Sequence, residues 1–173
     1  MSAHERNFRR YWPAGLVLFG IVIWLGWPLG IAEVPGGILD HQAAGSAAEV
    51  DRIQRAWLVA GLYDRAKLAM LGDLVFIGVY GLGAWYAGLA FRESALPKLR
   101  RLGGLLIAAA ALFLATDYIE TIAQVIQLFD ARGSDGLAQI AATVRPAKVV
   151  AWVVTFAGVL AGLVVRRRNL AAG

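Results

Sequence analysis

Four stretches of about twenty residues are nearly free of charge, and no other feature narrows the fold of this chain so far. A helix of about twenty apolar residues spans a hydrocarbon core of roughly 30 Å. Only helices and closed barrels satisfy their backbone groups in lipid. No ten-residue alternation of the barrel kind runs through the sequence. The expected fold is all-α: an integral membrane, up-down-up-down four-helix transmembrane bundle in a single domain, residues 1–173. The spans fall at about 13–31, 68–91, 102–128 and 147–165. Composition agrees, since 59% of residues are hydrophobic, more than a soluble domain of this size carries.

The connecting segments carry their own signals. Arg6, Arg9 and Arg10 form a basic leader before Tyr11, Trp12 and Pro13, where Pro suits a first helical turn. Trp24 and Trp27 mark the far interface of the first span, and Pro28 is expected to bend or end it. A basic leader, an apolar run and Gly30-Ile31-Ala32 also match a signal peptide. The length of the run and the three spans that follow favour a membrane helix. Residues 33–66 form an extracytoplasmic segment: a loop over 33–45, then a helix opened by a capping box at Ser46 and Glu49. Val50, Ile53 and Trp57 make one apolar stripe, which suits an amphipathic helix lying on the membrane or the bundle, or an extension of the second span. Residues 137–144 read as a short interfacial helix ending before Pro146.

Basic residues set the orientation. Three lie in the leader, four in the loop Arg92 to Arg101 (Arg92, Lys98, Arg100, Arg101) and three in the tail Arg166 to Arg168. The other seven are spread over longer loops rich in acids. The positive-inside rule then places both termini in the cytoplasm of a bacterial inner membrane. The net charge of +5 follows from these helix ends, so no nucleic-acid partner is expected; the partner is the lipid bilayer.

Three acids break the apolar runs. Asp117 and Glu120 are three residues apart on one helical face, and Gln124 and Gln127 continue it. Asp73 interrupts the second span, with Tyr80 seven residues on. A charge at bilayer depth costs from about 2.5 to more than 10 kcal/mol, so each acid needs a partner, a ligand or a proton. At about 1.5 Å per residue, Asp73, Glu120 and Asp117 lie roughly 8, 10 and 15 Å below the outer ends of their spans. Lys148 begins the fourth span at the same side, just after Arg145 and Pro146. The expected ligand site is therefore Asp73, Tyr80, Asp117, Glu120, Gln124, Lys148 and Trp152, with Lys148 as counter-charge. Thr116, Tyr118, Thr121 and Gln127 stand by to complete hydrogen bonds.

This pattern resembles a broad group of uncharacterised bacterial four-helix membrane proteins. Their members tend to carry an Asp and a later Tyr in the second span, Asp-x-x-Glu-Asn in the third, and a Lys shortly after a Pro at the fourth. The matching residues here are Asp73 and Tyr80, Asp117-Tyr118-Ile119-Glu120, and Pro146 and Lys148, within roughly residues 65–165. The sequence departs at Thr121, where Asn is expected. The resemblance implies a site at these positions and carries no activity.

Other chemistries find little support. With no Cys there is no disulfide or thiol chemistry. His4 and His41 lie outside the spans, so intramembrane haem, zinc or copper lacks ligands, and no cofactor or metal is expected. A hard cation on the carboxylates stays open. No phosphate loop or nucleophile elbow occurs. Gly158-x-x-x-Gly162 offers a dimer face and with it a homo-oligomer. Three functions remain: binding or conducting a proton, cation or small polar ligand; acid–base catalysis on a lipid-soluble substrate with Asp117 or Glu120 as the catalytic group; and a structural or assembly subunit of a membrane complex.

Overall fold

The computed structural model describes residues 1–171, with side chains through 169. The chain is 85% helical, and no strand forms among the described residues. The helices are α1 (Ala3–Gly26), α2 (Ile38–Ala43), α3 (Ala47–Val59), α4 (Tyr63–Arg92), α5 (Pro97–Phe129) and α6 (Asp135–Ala171). A 3-10 turn, Trp27–Leu29, follows α1 and contains Pro28. Four helices are long and apolar enough to cross a membrane: α1 with its turn, α4, α5 and α6.

Several boundaries differ from expectation. Pro13 lies inside α1, which starts ten residues earlier, at Ala3. The loop over 33–45 contains the one-and-a-half-turn helix α2. No separate helix ends before Pro146; α6 runs through it as one element. Proline removes one backbone donor and costs a soluble helix about 3 kcal/mol, whereas membrane helices accommodate it through neighbouring groups. An apolar helix of this length tolerates the defect.

The chain forms two compact units, and α1, α4, α5 and α6 contribute to both. The first, here the aromatic unit, comprises residues 1–16, 78–114 and 147 onward. Its core is a train of rings. Trp12 lies 5.1 Å from Tyr80, Tyr80 lies 5.2 Å from Phe113, and Phe8 meets Phe91 at 6.1 Å. Such offset and edge contacts are worth about 0.5–1.5 kcal/mol each beyond area burial. Small residues let the backbones approach. A Cβ on Gly83 would sit 2.8 Å from the Trp12 nitrogen. Gly158 and Gly162 admit close approach of Leu106 and the Phe91 ring.

The second, here the polar unit, comprises residues 17–77 and 115–146. Ser46 caps α3, its hydroxyl accepting from the Glu49 N–H at 3.3 Å. Glu49 turns to Arg52, pairing through two nitrogens at 2.7 and 3.1 Å, and this pair holds the Glu49 carboxyl below its usual range. The stripe Val50, Ile53 and Trp57 is fully buried with Leu29, Val34, Met70, Leu128 and Ala138. A Schellman motif ends α3: Gly61 takes φ +70°, and Leu62 N–H reaches the Trp57 carbonyl at 2.8 Å. α3 is thus a separate helix packed into the core, not an extension of α4. At the end of α5, Ala131 takes the left-handed position at φ 51°, and Arg132 N–H bonds the Gln127 carbonyl.

Candidate functional site

In the polar unit, α5 presents a polar face and an apolar one. Asp117, Glu120, Gln124 and Gln127 are 3%, 0%, 1% and 1% exposed. Ile119, Ile122 and Ile126, on the other side of the same turns, are exposed. A helix that buries its polar side chains and displays its isoleucines inverts the soluble pattern.

The Thr121 hydroxyl links two of the acids. Its Oγ1 lies 3.3 Å from Asp73 Oδ2 and 3.4 Å from Asp117 Oδ1. α4 supplies one carboxyl and α5 the other. The hydroxyl has one hydrogen to donate, so it serves one carboxylate at a time. Tyr118 ties the same helices together, donating to the Leu74 carbonyl at 3.2 Å.

One turn further, the Gln124 amide lies 3.5 Å from Glu120 Oε1, and Gln124 Oε1 is buried with no partner in the structure. A buried unmet acceptor costs about 1–3 kcal/mol. Gln127 is fully used: its amide donates to the Ala123 carbonyl and its Oε1 accepts from Ser134 N–H at 2.9 Å. It braces the turn between α5 and α6. Among the described residues, no three His, Asp or Glu side chains are grouped to hold a metal ion.

The other expected site residues belong to the aromatic unit. Tyr80 is buried, its hydroxyl 3.0 Å from Thr155 Oγ1. Thr155 in turn donates to the Trp152 carbonyl at 2.8 Å, so the Tyr80 hydroxyl is the donor to Thr155. Trp152 stacks on Phe156 with ring centroids 5.4 Å apart. Lys148 is half-buried, one turn before Trp152 on α6.

A second buried polar set went unmarked in the sequence. His41 of α2 is 1% exposed and packs tilted against the Trp57 ring, with centroids 5.4 Å apart. Its Nε2 lies 3.4 Å from Gln54 Nε2, and its Nδ1 has no partner in the structure. Gln54 Oε1 accepts from the Tyr63 hydroxyl at 3.1 Å, and that hydroxyl also meets the Leu128 carbonyl at 2.6 Å. The Trp57 indole N–H donates to the Leu29 carbonyl at 2.9 Å. Burial pushes His41 down to about 4, so its ring is neutral near pH 7. Lying outside the apolar runs, His41 gave only a loop signal; the Trp57 stripe beside it was the available clue.

No protein-family model, curated protein or solved structure matches this chain.

Proposed function

We propose that this chain is a multi-pass membrane protein whose acids bind a proton or small cation between the half-buried Asp73 and the buried Asp117, with Glu120 and Gln124 extending the site along α5. The observation that carries this reading is the single Thr121 hydroxyl set between two carboxyls. Two carboxyls brought to one hydroxyl from two helices repel when both are ionised, which favours uptake of a proton or small cation at their junction. The distribution of Lys and Arg supports a bacterial inner membrane with both termini in the cytoplasm. A reporter fused after the last residue would be cytoplasmic on this reading.

The test is the melting temperature of the purified protein in detergent, measured against pH and against added sodium or ammonium. Asp117→Asn and Asp73→Asn should remain folded and lose the pH- or cation-dependent shift of the parent protein. An unchanged shift in both variants rules the site out. Outright unfolding of both would mark the acids as structural members of the bundle.

A further inference from the structure

A groove of about 1020 Å³ runs along one flank of α3 in the polar unit, with Glu33, Asp51, Arg52, Arg55, Val59 and Ala60 in its lining. Its polarity changes along the helix. Asp51, Arg52 and Arg55 lie towards one end, and Val59 and Ala60 end the helix and open the turn into α4. α4 is one of the four membrane-length helices. The apolar end is strongly exposed, with Val59 at 85% and its neighbour Leu58 at 63%. Exposed apolar side chains next to a membrane-length helix suit contact with lipid.

The charges differ in how far they are engaged. Arg52 is occupied by Glu49 and by the Glu33 carbonyl at 2.8 Å. Asp51 accepts from the Gly133 N–H. The Arg55 guanidinium and the Glu33 carboxylate, both exposed, make no hydrogen bond or ion pair with another described residue. An open cation and an open anion thus border one groove with an apolar exit.

We infer that this groove seats the headgroup of a zwitterionic phospholipid bearing a primary amine, of the phosphatidylethanolamine class. The phosphate pairs with Arg55, whose planar fork suits it. The ammonium donates to Glu33 and to the remaining acceptor capacity of Asp51. The first acyl methylenes lie on Val59 and Ala60. Charge complementarity selects this class over its relatives. A choline headgroup has no N–H to donate to Glu33, and a glycerol headgroup brings no cation to it. The inference needs the membrane setting but not the acid site on α5.

The experiment adds short-chain phosphatidylethanolamine, phosphatidylcholine or phosphatidylglycerol to the full chain in detergent and reads the melting temperature. The ethanolamine lipid should give the largest upward shift. Glu33→Gln should cut that shift to the level of the choline lipid, and Arg55→Gln should abolish the response to all three. Both residues are exposed, and the lipid-free melting temperature of each variant reports its folding. If Arg55→Gln does not fold, the Glu33→Gln comparison decides alone. Equal shifts with ethanolamine and choline lipids in the parent protein, a larger shift with the glycerol lipid, or an unchanged preference in Glu33→Gln would overturn the inference.

Discussion

The aromatic and polar units solve the same problem with opposite materials. The aromatic unit is held by ring-on-ring and glycine-notch contacts, and the hydroxyl pair Tyr80–Thr155 sits among them. The polar unit buries Asp117, Glu120, Thr121, Gln124, Gln127, His41 and Gln54 beside a conventional apolar core. Shape complementarity fixes a unit cheaply, because dispersion contacts carry no desolvation cost. Buried polar groups are expensive unless satisfied. Concentrating them in one unit, with unmet atoms on His41 and Gln124, makes that unit the costlier of the two to hold folded.

The contrast can be broken at its strongest points. Trp57→Ala removes the largest fully buried side chain of the polar unit and leaves the Leu29 carbonyl without its indole donor. It should cost about 3–5 kcal/mol, seen as a large fall in melting temperature. An effect below about 1 kcal/mol would mean that α3 is not part of the core.

Acid should act next. The folded-state value of His41 lies near 4, against an ordinary 6.5. Above pH 6.5 the ring is neutral in both states and stability is unaffected. As pH falls from 6.5 to 4, the unfolded chain takes up a proton that the folded chain refuses, and stability drops by up to about 3 kcal/mol. His41→Phe keeps a ring against Trp57 and should flatten this part of the pH profile. A profile identical to that of the parent would exclude His41 as its source.

Gly83→Val sharpens the other side of the comparison. Its side chain would collide with the Trp12 backbone in the aromatic unit, for an expected loss of about 1–3 kcal/mol. The loss should not depend on pH, since shape and not charge is disturbed. The smallest effect is a gain. Ala131→Gly relieves a left-handed alanine worth about 1–2 kcal/mol, less about 0.4–1 for unfolded-chain entropy. The net is a gain of roughly 0.5 kcal/mol in a denaturant titration.

The acid face on α5 was legible because a charge within an apolar run has few readings. Spacing alone put Asp117, Glu120, Gln124 and Gln127 on one side, and the structure buries all four. The Ser46 cap and the Val50–Ile53–Trp57 stripe were legible for similar local reasons. The continuity of α6 through Pro146 was hidden, because the residue before a proline ordinarily marks a boundary and only neighbouring packing overrides it. The internal use of Gly158 and Gly162 was hidden as well: a glycine pair shows that something approaches, not whether it is Leu106 and Phe91 or a second chain. Thr121 read as a departure from an expected Asn, yet its hydroxyl is the atom that lies between Asp73 and Asp117.

That junction offers the most direct test of a proton or cation shared by Asp73 and Asp117. Infrared difference spectra of the reconstituted protein, taken across a pH titration and with added ammonium or sodium, report the carboxyl C=O stretch. The shared site predicts a protonated-carboxyl or cation-sensitive carboxylate band that disappears in Asp117→Asn and shifts in Thr121→Val. A spectrum unchanged by either substitution would contradict it.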